Sequence, residues 1–175
     1  ENESVRERRL SPLDARCLTL GGVFGEKNGW ERVIYYEPGC PGRRAGADQR
    51  AWGWGRPAFF DRVGEEHRAV RERAGLLDMT SFGKIDVRGP GALALLQRLC
   101  DNDVGKPPGS VVYTQFLNPR GGIEADVTVI RLAEDRFLMT TTTGGAARVM
   151  TWLEEWLQTE WPHLKVYLTS VTDQW

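Results

Sequence analysis

Residues 113–132 read Tyr-Thr-Gln-Phe-Leu-Asn-Pro-Arg-Gly-Gly-Ile-Glu-Ala-Asp-Val-Thr-Val-Ile-Arg-Leu, and this stretch predicts two strands joined by a turn. The first strand is expected to end at Phe116 or Leu117. The next five residues, 118–122, reverse the chain, because proline fixes φ and glycine accepts positive φ. The β-branched run 127–130 then carries the chain back. The stretch therefore predicts a β-hairpin.

Asp126 lies where the second strand of this hairpin is expected to begin. Aspartate is uncommon in strands, so its presence here calls for an explanation. A carboxylate at the mouth of a sheet can hold a polar ligand. Alternatively, the side chain accepts hydrogen bonds from the amides of the turn. The pattern alone leaves both interpretations open.

On both sides of the hairpin the chain alternates between helical and extended patterns. Helices are predicted over 60–74, 92–99 and 146–158, with strands within 76–88, over 136–139 and from Val166. In the first helix, Val63, His67, Val70 and Ala74 form one stripe that we expect to face the core. This order favours an α+β domain with helices on one face of a largely antiparallel sheet.

Two glycine-rich segments lie outside this regular pattern. In residues 1–57, glycine and proline recur every few residues, which predicts little regular structure. The aromatic residues of this segment indicate an arm that wraps a surface, either packed by ordinary contacts or forming a ligand cage. Residues 58–175 would be the domain proper. Thr140 to Thr143, followed by two glycines, predict either a helix cap or an anion site at a helix N-terminus.

Composition excludes several classes of function. The 23 basic and 24 acidic residues give a net charge of −1, so no overall field attracts nucleic acid or an anionic membrane. No apolar run approaches the roughly 20 residues of a membrane helix, and 1–9 lacks the apolar region of a signal peptide. The 3 cysteines are widely spaced and the 2 histidines are far apart, so we expect reduced thiols, no metal site and a cytoplasmic protein.

Longer strings of residues resemble a known family. These strings are Ser-Pro-Leu-Asp-Ala-Arg at 11–16, Gly-Leu-Leu-Asp-Met-Thr-Ser-Phe-Gly-Lys at 75–84 and Gly-Gly-Ile-Glu-Ala-Asp-Val-Thr-Val at 121–129. They resemble the folate-binding region of dimethylglycine and sarcosine dehydrogenases and oxidases. The segment 137–149 is most similar to the α subunit of heterotetrameric sarcosine oxidase. A more distant resemblance connects the chain to the T-protein, the aminomethyltransferase of the glycine cleavage system.

The resemblance implies a fold and a reaction. The chain would be the first half of a duplicated T-protein-like folate-binding domain with its preceding arm, and the second half would begin at Val166. In this family an FAD domain oxidises a small N-methyl amine to an iminium ion. Tetrahydrofolate then captures the carbon as 5,10-methylenetetrahydrofolate. The implied partners are tetrahydrofolate, the amine, and a flavin domain or other subunits.

The resemblance also assigns residues. The family's functional aspartate falls on Asp126, which would act as a buried carboxylate beside the reacting folate nitrogens. Tyr113 and Phe82 would line the pterin pocket, although both also fit an ordinary sheet core, and Met79 and Thr141 complete the expected contacts.

Two further expectations concern the chain as a whole. A non-catalytic folate-binding or assembly module of the same fold is the alternative function. If Val166 opens a strand without a partner, the isolated chain should bind folate weakly and self-associate or exchange that strand.

Overall fold

The computed structural model describes residues 6–44, 54–57 and 59–174, and the chain forms two compact units with the division between Ser81 and Phe82. The first unit contains two helices, α1 (Asp14–Thr19) and α2 (Phe60–Glu72), and three strands, β1 (Gly22–Lys27), β2 (Trp30–Tyr36) and β3 (Arg43–Arg44). The sheet order is β2-β1-β3, with β1 antiparallel to β2 and parallel to β3.

The N-terminal segment therefore contains regular structure where the sequence predicted little. Asn28 and Gly29, with φ of 51° and 81°, form the tight turn between β1 and β2, because a two-residue hairpin turn needs positive φ. Gly29 is thus a turn position of a hairpin, whereas Gly22 and Gly25 lie within β1. The boundary predicted near residue 57 does not coincide with the division of the structure.

Helix α2 begins as predicted, but the inward stripe assigned to it is wrong. No residue of α2 is buried, and Val63 and Val70 are 39% and 53% exposed. Two contacts connect α2 and the residue before it to β2 instead. The Glu66 carboxylate accepts the Tyr36 backbone N–H at 2.8 Å, and Phe59 stacks on Tyr35 with ring centroids 5.3 Å apart.

The second unit is built on one five-stranded sheet. Its elements in chain order are β4 (Gly83–Arg88), α3 (Ala92–Leu99), β5 (Val111–Leu117), β6 (Ile123–Ala133), β7 (Arg136–Thr141), α4 (Ala146–Thr159) and β8 (Tyr167–Ser170). The sheet order is β5-β6-β7-β4-β8, and every neighbouring pair is antiparallel. The predicted α+β class is confirmed.

Both helices of the second unit pack on one face of this sheet. Val127, Val129 and Phe137 are buried on that face together with Leu95 of α3 and Leu153 of α4. Side chains alternate along a strand, so the intervening residues point away from α3 and α4. We call this side of the sheet the distal face. It carries mostly polar side chains, among them Tyr113, Gln115, Asp126, Thr128, Thr140, Asp86 and Arg88.

Strand β8 completes this sheet, so the expectation that Val166 begins the second half of a duplicated domain is wrong. Leu168 lies opposite Val87 and Ser170 opposite Ile85 along β4. Leu168 also packs against the hydrophobic core, and this contact explains why the strand joins the first sheet. The expected exchange of this strand assumed that it had no partner, and β8 is paired with β4. None of the helices in the described part of the chain is long and apolar enough to span a membrane.

Candidate active site

The turn between β5 and β6 is held by the side chain of Asn118. Its Oδ1 accepts the backbone N–H groups of Arg120 and Gly122, each at 3.0 Å, and its Nδ2 donates to Glu124 at 3.0 Å. Gly121 supplies the expected positive φ, 78°. The amides of the turn are thus bound by Asn118, so the interpretation in which Asp126 binds them is not the one the structure adopts.

Asp126 lies inside β6 rather than at its opening. The strand begins at Ile123, and Asp126 is paired with Gln115 of β5. Its side chain is on the distal face and is exposed, so the expectation of a buried carboxylate is wrong. An exposed carboxylate remains accessible to a ligand.

The phenol of Tyr113 is hydrogen-bonded to this carboxylate. Tyr113 lies opposite Thr128, two residues along the strands from the Gln115–Asp126 pair, and its hydroxyl donates to Asp126 Oδ2 at 3.1 Å. Its side chain is 57% exposed, and Asn102 Nδ2 fixes its backbone by donating to the Tyr113 carbonyl at 2.8 Å. The pair offers a charged acceptor beside a flat aromatic surface.

Thr141 approaches Asp126 from the side of the core. It is 4% exposed, and its hydroxyl donates to the Asp126 carbonyl at 3.3 Å. This contact positions the backbone of Asp126. The helix-cap interpretation of the four threonines is wrong, since the N-cap of α4 is Gly145 and no side chain caps the helix there.

The two other predicted site residues lie in different places. Phe82 is half-buried and directly precedes β4, and its carbonyl accepts a hydrogen bond from Lys84 Nζ at 3.0 Å. Met79 belongs to the first unit, is 45% exposed, and lines a cavity there with Asp78 and Cys17. The structure brings Tyr113, Asp126 and Thr141 together, whereas the roles of Phe82 and Met79 stay predictions.

Sequence reasoning missed several neighbours of Asp126 on the distal face. Thr128 and Thr140 face each other across β6 and β7, and Gln115 lies opposite Asp126. A signal for Thr128 was present, because Val127 and Val129 point into the core and the residue between them must share the face of Asp126. No local signal identified Asn102, whose contact with β5 depends on the fold.

A five-stranded antiparallel sheet with its helices on one face and a carboxylate–phenol pair on the other makes this unit an α+β domain with a polar open face. Residues 13–175 match the family model described as the GCVT N-terminal domain, and the chain belongs to that family. The match includes most of the N-terminal segment, which the sequence had separated from the domain.

Individual relatives agree with this assignment. The crystal structure of the glycine cleavage system aminomethyltransferase T from Bartonella henselae superimposes with a TM-score of 0.69 at 25% identity, covering 94% of this chain and 38% of that chain. Sarcosine oxidase subunit alpha from Corynebacterium sp. (strain P-1) is 42% identical over 173 residues, which is 98% of this chain and 16% of that protein. The 4-methylaminobutanoate oxidase (formaldehyde-forming) of Paenarthrobacter nicotinovorans is 46% identical over 139 residues, or 79% of this chain and 16% of that protein. The chain thus spans 16% of the length of these two curated relatives.

Proposed function

We propose that this chain supplies the tetrahydrofolate-binding, one-carbon-transferring part of an FAD-dependent amine oxidase or dehydrogenase of the sarcosine and dimethylglycine type. The observation that carries the proposal is the exposed Asp126 carboxylate with the Tyr113 hydroxyl 3.1 Å from its Oδ2. Membership of the GCVT family and similarity to sarcosine oxidase subunit alpha support it.

The residues present suit the proposed ligand. A pterin ring is flat and bears N–H donors, and the distal face offers the Tyr113 ring and the carboxylate of Asp126. Tetrahydrofolate supplies the nitrogen nucleophile that takes up the one-carbon unit. Asp126 stabilises the positive charge of the iminium ion and accepts a proton from the folate amine. Tyr113 orients the carboxylate, and Thr141 fixes the backbone that carries it.

The decisive experiment replaces Asp126 in the full-length parent enzyme. Asp126→Asn preserves the shape of the side chain but removes its charge, so formation of 5,10-methylenetetrahydrofolate should fall by about 10²-fold. Amine oxidation, followed as flavin reduction in the same preparation, should stay within a factor of about two, because that step takes place outside this chain. Asp101→Asn, at an exposed loop carboxylate of the same unit, is the matched control. Equal loss of both activities would contradict a folate role.

A second candidate function is a non-catalytic folate-binding or assembly module. Two relatives favour it: one oxidase is named as formaldehyde-forming, and the mouse pyruvate dehydrogenase phosphatase regulatory subunit is 34% identical over 157 residues. The yield of formaldehyde, measured with and without tetrahydrofolate, distinguishes the two functions. If the parent enzyme releases formaldehyde in equal yield with and without tetrahydrofolate, the module is not catalytic; a folate-dependent fall in formaldehyde supports one-carbon capture.

A further inference from the structure

A second group of charged residues lies on the distal face, far along the strands from Asp126. Arg88 of β4 and Arg136 of β7 are paired directly across the sheet, and Tyr167 of β8 lies opposite Arg88. On β6, Asp126 lies two residues before Thr128. Thr128 pairs with Thr140 of β7, and Thr140 lies four residues after Arg136. Because the two strands are antiparallel, these offsets add up to six residues. Six residues along a strand correspond to roughly 20 Å, at about 3.3 Å per residue. The group is therefore separate from the candidate active site.

Asp86 organises the two arginines. Its carboxylate is almost completely buried, with Arg136 Nε donating to Oδ1 at 2.9 Å and Arg88 Nε lying 3.7 Å from Oδ2. A buried carboxylate requires such compensation by positive charge. The same contacts restrain both guanidinium groups, and both arginine side chains are about half exposed.

Each guanidinium keeps most of its hydrogen-bonding capacity. An arginine side chain has five N–H donors, and the contacts with Asp86 involve only Nε. Within the part of the chain that the structure describes, no other acceptor binds Arg88 or Arg136. The Nη donors of both side chains therefore remain available to a ligand.

These groups line a shallow cavity. Its walls are Arg88, Gly89, Pro90, Asp135, Arg136 and Tyr167. The backbone is fixed here, because the Gly89 N–H donates to the Asp135 carbonyl at 2.9 Å. Two planar guanidinium groups held side by side match the geometry of a carboxylate or a phosphate. We propose that the Arg88–Arg136 pair is a binding site for a small oxyanion, a carboxylate or phosphate group, and nothing in this proposal depends on folate binding.

Asp135 allows the proposal to be tested with a substitution that should strengthen anion binding as well as with substitutions that should weaken it. Asp135 lines the same cavity, and its negative charge disfavours an anion bound there. Removing this charge with Asp135→Asn should therefore tighten anion binding, whereas removing either arginine should weaken it. A ligand that carries an amine as well as a carboxylate would reverse the effect of Asp135→Asn.

The experiment titrates the whole protein with inorganic phosphate and, separately, with succinate, at constant ionic strength set by chloride, and follows the backbone amide resonances of 88–89 and 135–136. Arg88→Gln and Arg136→Gln should each weaken binding about tenfold, and Asp135→Asn should strengthen it by about two- to fivefold. Arg98→Gln is the matched control, because Arg98 lies on α3 over the ring of Trp161 at 4.9 Å. It should leave binding unchanged.

The outcomes are distinct. Saturable binding of either anion with this pattern supports the site, and the preferred anion identifies the ligand class. Arg88→Lys keeps the charge but loses the planar fork, so it should weaken binding in a folded protein and guard against a folding artefact. Absence of saturable binding, an equal response in Arg98→Gln, or weaker binding in Asp135→Asn would overturn the proposal.

Discussion

At the scale of single residues, the contact between Tyr113 and Asp126 is the feature on which the candidate site depends. Tyr113→Phe removes the hydroxyl that donates to Asp126 Oδ2 at 3.1 Å but keeps the aromatic ring. The loss of one hydrogen bond to a charged group should lower methylene transfer by about three- to tenfold in the parent enzyme. Flavin reduction should not change.

Tyr167→Phe provides the control for this substitution, because Tyr167 is an exposed tyrosine of the same sheet but lies on β8. Tyr113→Ala should cost more than Tyr113→Phe, since it also removes the flat surface proposed for the pterin. If Tyr113→Phe transfers the methylene group as fast as the unsubstituted enzyme, the carboxylate acts without the phenol and our arrangement of the site is wrong.

The sequence identified Asp126 as unusual but misplaced it within its strand. Ile-Glu-Ala at 123–125 contains two residues that are uncommon in strands, so the pattern suggested that β6 begins near Val127. Pairing with β5 extends the strand to Ile123 instead. Local propensity could not reveal this, because the extension depends on hydrogen bonds to a neighbouring strand.

At the scale of elements, the turn of the β5–β6 hairpin rests on one side chain. Asn118→Ala removes the acceptor for two turn amides and the donor to Glu124, which should lower the free energy of unfolding of the second unit by about 1–2 kcal/mol. Arg120→Ala is the control, because Arg120 donates to Asn118 through its backbone N–H, which the substitution keeps. Chemical denaturation measures both, and equal stability of the two variants would contradict this role.

The first unit depends on a buried ion pair between Glu31 and Arg6. Arg6 Nε donates to Glu31 Oε1 at 2.7 Å and its Nη2 donates to Oε2 at 2.8 Å. Burial alone would raise the pKa of Glu31, but hydrogen bonds from Arg6 and the Glu7 N–H, with the charge of Arg44, hold it below its ordinary value of 4.5. The stabilisation is therefore complete above pH 4.5 and is lost as the pH falls through the lowered pKa.

Glu31→Gln should accordingly destabilise the first unit by about 3 kcal/mol at neutral pH, because the buried ion pair of Glu31 with Arg6 is removed. The difference from the unsubstituted protein should shrink as the pH is lowered below 4.5. Glu65→Gln is the control, since Glu65 pairs with Arg62 on the exposed surface at 3.0 Å and should contribute less than about 1 kcal/mol. A difference that does not depend on pH would contradict the assigned charge effect.

Sequence patterns predicted some elements much better than others. Helices α3 and α4 and the β5–β6 hairpin were predicted because apolar spacing and turn residues agree there with the final packing. Strands β1 and β2 were missed because the glycines within β1 and in the turn after it resemble interruptions until the hairpin is formed. The stripe on α2 was misread because an amphipathic pattern does not show what, if anything, covers it.

At the scale of the whole molecule, the three cysteines differ in burial and in the unit that contains them, and all three are free thiols, as expected from their spacing. Cys40 is exposed, whereas Cys17 is buried in the first unit and Cys100 in the second. Burial raises the pKa of the Cys100 thiol to about 12, so almost none of it is the reactive thiolate at pH 8. One thiol per chain should therefore react rapidly with a disulfide reagent at that pH.

The remaining two thiols should react only when the unit that contains them opens, so their rates measure the stability of the two units separately. Cys40→Ser should abolish the rapid phase and leave the slow phases unchanged, and denaturant should make all three thiols react quickly. Glu31→Gln should accelerate Cys17 without accelerating Cys100, because the ion pair of Glu31 and the buried Cys17 share the first unit. Rapid labelling of Cys100 in the unsubstituted protein would contradict the burial of this thiol in the second unit. Equal acceleration of Cys17 and Cys100 by Glu31→Gln would show that the two units do not open independently.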